Sequence, residues 1–449
     1  VSNNPKTLEP EFAIANDYKI SRDKKRWTFT IRENACFSNG EKITAESVKK
    51  SFLMLLSNPN APYASLIDII RGAEAYRKGT GKVEDVGIVV NSENKITFVL
   101  NTPANYFLSV LCHTSFSIVH EDKNVYSGPF ILALNKNGVI DLLKNENYWD
   151  KNNVKLEKIT FLQSDDEELN TQLFNTGEVQ WITSGIVNMN KIINKQALQL
   201  SAQFGSAYMF FKLQESEPFY DEDAELSLLV SDEKVWNKKE FRNALLEAFP
   251  WDIIRKNFTV PATTLVYPLP GYPQVNGFSY TDEVEAVHMM KEARQKYDIM
   301  EDEVIPLVFE VSSGFFTPEQ KDAMINAFKP LKVDLQIKEI NPMLYLRQVA
   351  SSEADLFLYN WIGDFADPLA FLELFRGNST LNDSKWHNDD FDKLIDEAAR
   401  VSADKRYALL AQAEEILLDE GVVIPLYHSV SMNVINLKEI GGWAANAFD

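Results

Sequence analysis

The sequence predicts a mixed α/β protein of two or three lobes, and three observations carry that prediction. At 449 residues the chain is too long for one simple core. A composition of 45% hydrophobic and 12% aromatic residues is that of a packed globular protein, not a disordered one. Residues 307–311 and 333–337 read as strands on either side of a helical stretch at 318–327, the grammar of a βαβ unit in a mixed sheet covered by helices.

The elements follow in chain order. Trp27, Phe29 and Ile31 alternate with polar neighbours, which makes a half-buried strand. Asn39-Gly40 marks a turn, and Thr44 is placed to cap a helix whose apolar face is Val48, Phe52 and Leu55. Residues 88–100 read as a hairpin around Ser92-Glu93-Asn94, and Pro103 with Tyr106-Phe107-Leu108 opens another helix. Trp149 and Trp181 are expected in the core. Residues 261–273, with Tyr267 and Tyr272 among four prolines, cannot pair as a central strand. A short amphipathic helix is expected at 286–293, and a strand at 355–359. Phe391, Leu394, Ile395 and Ala398 line a helix started by Asp389 or Asp390. Tyr407, Leu410, Ala413, Ile416 and Leu417 line the next, which Gly421 ends before a strand at 422–427.

Several functions are disfavoured at once. Lys and Arg number 45 against 65 Asp and Glu, a net charge of −20, whereas phosphate binding needs basic patches, so no nucleic-acid partner is expected. That balance suits cationic ligands. Among five histidines, His113, His120, His288, His387 and His428, no two have zincin spacing, and isolated histidines are most simply surface or satisfied core groups. No metal or other cofactor is expected. Acidic runs such as Asp165-Asp166-Glu167-Glu168 and Ser231-Asp232-Glu233 read as solvated faces or helix starts. The two cysteines, Cys36 and Cys112, read as buried free thiols, with a disulfide the alternative. No apolar run is long enough to span a membrane, and the opening Val-Ser-Asn-Asn-Pro is no signal peptide, which leaves a cytoplasmic protein or a mature or trimmed form of an exported one.

The most informative stretch is Tyr359-Asn-Trp-Ile-Gly-Asp-Phe-Ala-Asp-Pro368, into which the 355–359 strand runs directly. Strand ends are where a rigid sheet presents side chains to a ligand. A half-buried carboxylate beside Trp361 suits a cation with an apolar or peptide body. Asp367, next to Pro368, is better read as the cap of a helix at 369–375. The stretch resembles the Trp-x-x-Asp-Tyr-x-x-Pro segment of extracytoplasmic solute-binding proteins of the peptide/nickel class. Other segments match the same class in unbroken order from Leu8 to Trp443: the strand at Trp27 with Cys36-Phe-Ser-Asn-Gly40 and Ile43-Thr-Ala45, Tyr126-Ser-Gly-Pro-Phe130, Asn145-Glu-Asn-Tyr-Trp149, Gly177-Glu-Val-Gln-Trp181, and the helix at Phe241-Arg242.

The resemblance implies a two-lobed periplasmic-binding-protein-like fold with mixed sheets, an extra small domain and a hinged ligand cleft. The implied divisions are an accessory domain at 1–121, a first-lobe core at 122–205 plus 429–449, and a second lobe at 206–428. The implied function is capture of oligopeptides, as a monomer outside the cytoplasm and without a cofactor, for delivery to an ATP-powered membrane permease; the resemblance leaves room for lipid anchoring to a bacterial membrane. In the oligopeptide binders the aspartate of this segment holds the ligand's α-amino group, which here is Asp364. Trp361 and Tyr63 would supply flat walls, and the backbone of Asn360, Ile362 and Gly363 would pair with the ligand main chain. The plain alternative for Tyr63 is a surface turn aromatic. A surface interaction protein on the same fold, or a hydrolase using Asp364 and Asp367, are the competing functions.

The chain also departs from the family. The leading strand segment is expected to be missing, and the first glycine before Ser127-Gly128-Pro129 is absent. Leu358 stands where some members carry an arginine, and Pro342 falls near an aromatic wall of the oligopeptide binders. Arg347 and Arg376 are the cations that could serve a ligand carboxylate instead.

Overall fold

The computed structural model describes residues 1–59, 61–183, 185–213, 234–256, 258–401 and 403–447; the Ser231-Asp232-Glu233 run lies outside them. The chain is mixed α/β and divides into two compact units, Val1–Gln203 with Asp364–Ala366 and Val430–Asp449, and Phe204–Gly363 with Asp367–Ser429.

In the first unit, β1 (Ala15–Ile20), β2 (Arg26–Ile31), β3 (Ile88–Ser92) and β4 (Lys95–Val99) form an antiparallel sheet in the order β1-β2-β4-β3. The alternation at Trp27, Phe29 and Ile31 buries all three, at 4%, 5% and 3% exposure. Helix α1 (Ala45–Leu56) starts at a capping box in which the Thr44 hydroxyl accepts from Ser47 N–H and the Ser47 hydroxyl accepts from Thr44 N–H. It lays Phe52 against Phe98, ring centroids 5.0 Å apart. Helix α2 (Phe107–Leu111) adds Phe107, which meets Trp27 at 5.6 Å and Phe98 at 5.7 Å. Phe116 stacks on Phe52 at 6.0 Å. Each ring buried here stabilises the fold by about 1.5–3 kcal/mol, and together they fix the turn that leaves α2.

The first unit also holds a three-stranded antiparallel sheet, β5 (Phe130–Lys136), β6 (Val139–Lys144) and β7 (Lys158–Leu162). Asp166 starts α3 (Glu167–Thr176) by accepting from Glu168 and Leu169 N–H, so the acidic run there is a helix start. Trp149 and Trp181 are not core residues. Trp181 sits on the two-residue strand β8 (Trp181–Ile182), 39% exposed, its indole donating to Asn433 Oδ1 at 2.9 Å. Trp149 is half-buried, with the Arg32 guanidinium 4.0 Å from its ring. Both tryptophans are held by a polar or cationic neighbour, which a hydrophobicity argument does not register. The two thiols are free and half-buried, and burial pushes the Cys112 thiol up to about 11.

In the second unit, the segment of β9 (Leu198–Phe211) from Gly205 onward pairs antiparallel with a later strand, Leu356–Ile362, in a register from Gly205↔Ile362 to Phe211↔Leu356. Helix α4 (Lys239–Ala248) buries Phe241 and Leu245. Helix α5 (Glu283–Lys296) is longer than its apolar pattern, because Asp282 caps it from Val284 and Glu285 N–H and Arg294 and Lys296 fill its last turn. Strands β10 (Ile305–Ser312) and β11 (Val333–Ile340) pair in parallel across α6 (Pro318–Phe328), the βαβ unit expected. Then follow α7 (Pro342–Val349), β12 (Leu356–Ile362), α8 (Leu369–Leu372), α9 (Asp389–Ala398), α10 (Ala403–Asp419) and β13 (Val423–Ile435). The cap of α9 is Asn388, one residue ahead of the expected aspartates. Gly421, at φ +65°, ends the last turn after α10 in a left-handed conformation that suits glycine. Among the described residues no helix is long and apolar enough to cross a membrane.

One buried carboxyl ties the proline-rich loop to α10. Glu414, 0% exposed, accepts from Val266 N–H at 2.8 Å and from the Tyr272 hydroxyl at 2.9 Å. Burial pushes it up to about 7 despite these two bonds, with Glu415 adding repulsion. Its folded value lies above the unfolded one, so its contribution is fully favourable below about 4.5 and is lost as pH rises through about 7. His428 has the opposite sign: burial holds it down at about 4, so its contribution is present above about 6.5 and lost as pH falls through about 4. The Glu414 effect is therefore read as the difference between wild type and Glu414→Gln. Chemical denaturation should show the variant more stable by on the order of 3 kcal/mol at pH ~8 and little changed near pH ~4. A variant equally destabilised at both ends would remove Glu414 from this role.

Candidate functional site

Asp364 belongs to a three-residue stretch, Asp364–Ala366, that sits with the first unit while its neighbours on both sides sit with the second. Phe365 anchors it, only 1% exposed. The Asp364 carboxylate is largely buried, its side chain 15% exposed, and His113 Nε2 lies 3.1 Å from its Oδ1. Among the described residues no lysine or arginine lies within ion-pair distance of Asp364, so its charge is not cancelled by a permanent cation.

His113 immediately precedes a short turn, Thr114–Phe116, and is held by the aromatic core below it. Its ring lies 5.9 Å from Phe116, at 64°, and 4.3 Å from Tyr63, at 42°. Tyr63 is half-buried and has φ +63°, a left-handed backbone that costs a bulky residue about 1–2 kcal/mol and needs surrounding structure to hold it. Burial, and after it the negative charge of Asp364, pushes the Tyr63 phenol up to about 12. The structure thus brings Tyr63 and Asp364 together through a histidine that no local motif singled out. The signal was absent because His113 and Asp364 are far apart in the chain.

The remaining sequence-predicted residues lie in the second unit: Asn360, Trp361 and Ile362 on β12, which ends at Ile362, and Gly363 directly after it. The Trp361 indole donates to Ala370 O at 2.9 Å. Gly363 N–H donates to Phe204 O at 2.7 Å, and a Cβ at Gly363 would come within 2.4 Å of the Phe204 ring. In an antiparallel pair, hydrogen-bonded and non-hydrogen-bonded positions alternate. Gly363 and Trp361 therefore point their main-chain groups at β9, and Asn360 and Ile362 point theirs at the other edge. On that edge the register with β10 is confined to Leu356. Ile362 is 39% exposed, and Asn360 Oδ1 accepts from the Ser429 hydroxyl at 2.7 Å.

Asp367 has a different task. Its Oδ1 accepts from Leu369 N–H at 2.9 Å and from Arg406 Nη2 at 2.7 Å, and its Oδ2 accepts from Arg406 Nε at 3.2 Å. Asp367 and Arg406 are 8% and 5% exposed. Asp364 and Asp367 are each committed to their own partner, which removes the support for an acid–base pair. Of the two candidate cations for a ligand carboxylate, Arg376 is paired with Asp396 and Arg347 is exposed. Among the described residues there is no cluster suited to a metal ion.

This fold, with a buried carboxylate at the end of a strand, is that of an extracytoplasmic binding protein. The model for bacterial extracellular solute-binding proteins, family 5 Middle, matches residues 9–383, and the chain belongs to that family. The dipeptide-binding protein DppE of Bacillus subtilis (strain 168) is 28% identical over 451 residues, covering 94% of this chain and 79% of that protein. The oligopeptide-binding protein OppA of the same organism is 27% identical over 454 residues, covering 93% and 79%. The solved murein tripeptide binding protein MppA of Escherichia coli superposes with a TM-score of 0.81 at 20% identity, covering 97% of this chain and 87% of that one. Listeria monocytogenes OppA bound to peptide gives 0.75 at 22% identity, covering 97% and 88%. At these identities the structures show a shared fold.

Proposed function

We propose that this chain is the peptide-capturing component of an ATP-powered importer, holding the free amino end of an oligopeptide on Asp364 and delivering it, outside the cytoplasm, to a membrane permease. It works as a monomer, by binding and release without chemistry. The observation that carries the reading is the largely buried Asp364 carboxylate, paired with an imidazole and, among the described residues, with no lysine or arginine in ion-pair reach. Tyr63 supplies a flat wall beside it that tolerates varied side chains. A charge-assisted bond to an ammonium contributes about 1.5–3 kcal/mol. The names of the relatives, which bind dipeptides and oligopeptides, point the same way.

The test is to denature the purified protein and identify what it releases by mass spectrometry. Peptides of mixed sequence with unblocked amino ends are expected. Release of an anionic or amine-free small molecule instead would overturn the reading, and so would conversion of a peptide panel to shorter products.

A further inference from the structure

We propose that His113 is a positioning residue for the ligand's amino end: as a neutral imidazole it aims the Asp364 carboxylate while leaving that carboxylate its full negative charge. The inference rests on the reading of Asp364 given above. Its basis is the use of the two ring nitrogens. Nδ1 accepts from Ser115 N–H at 3.2 Å, so it carries no proton. The ring's one proton then belongs on Nε2, which faces Asp364 Oδ1 at 3.1 Å. The pair consequently has one net negative charge. A lysine or arginine at this place would aim the carboxylate equally well but would cancel the charge that an ammonium ligand needs.

The surroundings hold the ring in this role. Tyr63 covers one side of it at 4.3 Å and Phe116 meets it at 5.9 Å, so the ring cannot turn without breaking the Ser115 bond and both ring contacts. The His113 side chain is 10% exposed, which keeps water from substituting for it. Of the three side chains shown in contact with the imidazole, Asp364, Tyr63 and Phe116, Asp364 is the charged one.

The experiment has two arms. In the first, nitrogen NMR of the histidine-labelled, ligand-free protein at neutral pH should show His113 protonated at Nε2 and bare at Nδ1. A doubly protonated ring, or the opposite tautomer, overturns the proposal without any variant having to fold. In the second, an equimolar mixture of unblocked tri- to pentapeptides is presented to wild type, His113→Gln, His113→Lys and Asp364→Asn, each checked for folding by circular dichroism, and retained peptides are measured. Gln keeps a neutral N–H donor near the Nε2 position and should retain affinity within about threefold. Lys should lose at least about tenfold, as much as Asp364→Asn, because it neutralises the carboxylate. The same mixture N-acetylated should not distinguish the four proteins. If Asp364→Asn itself binds unblocked peptides like wild type, the reading of Asp364 fails. If it weakens binding while His113→Lys does not, the assignment of His113 alone fails.

Discussion

Replacing Asp364 with Asn should weaken binding of an unblocked peptide by about ten- to a hundredfold in calorimetry, the loss expected when one charge-assisted bond of about 1.5–3 kcal/mol becomes a neutral one. Asn is close in size and shape, and its Oδ1 can occupy the same place beside His113 Nε2, so the surroundings of the side chain keep their form. What goes is the charge. The fold should be little affected, because no lysine or arginine in ion-pair reach is left without its partner among the described residues. An N-acetylated peptide is the control: wild type and variant should bind it alike, since neither meets an ammonium. Unchanged affinity for the unblocked peptide would dismiss the amine-binding role.

Asp367→Ala, three residues along, should give the opposite result. Asp367 is engaged twice by the Arg406 guanidinium and once by Leu369 N–H, all in a buried setting. Removing it takes two hydrogen bonds from the buried Arg406 guanidinium and the acceptor from Leu369 N–H at the helix start. A loss of about 3–5 kcal/mol in urea denaturation is expected, the range found when one partner of a buried ion pair is deleted. Below its lowered transition the variant should bind peptide like wild type. Full stability with lost peptide binding would instead put Asp367 in the site. Two carboxylates three residues apart, just after the tryptophan strand, are thus separated by what they touch: one loses ligand, the other loses fold.

Much of the fold was legible in the residues. The period-2 alternation at Trp27, Phe29 and Ile31 is a core strand, Thr44 caps α1, and the 305–340 region is a parallel βαβ unit, because in each case the signal lies within a few neighbouring residues. The hairpin at Ser92-Glu93-Asn94 formed for the same reason. Element ends were less legible. Helix α5 extends beyond its apolar stripe because its cap, Asp282, is polar and stands outside that stripe. The strand through Trp361 runs on to Ile362 because β9 offers it partners from a distant part of the chain. Trp149 and Trp181 were misplaced because residue type alone does not reveal a guanidinium or an amide waiting at a surface.

The sequence by itself determined the family and the order of strands and helices, since these are written in local spacing and in the succession of short motifs; it also singled out Asp364 as the carboxylate to test. Only the tertiary structure decided what surrounds that carboxylate. It gave Asp364 a histidine in place of a lysine or arginine, set Tyr63 against that histidine, and gave Asp367 to Arg406. Such pairings join residues from distant parts of the chain. They depend on where the core holds each backbone, a property of the folded whole that no run of neighbouring residues encodes.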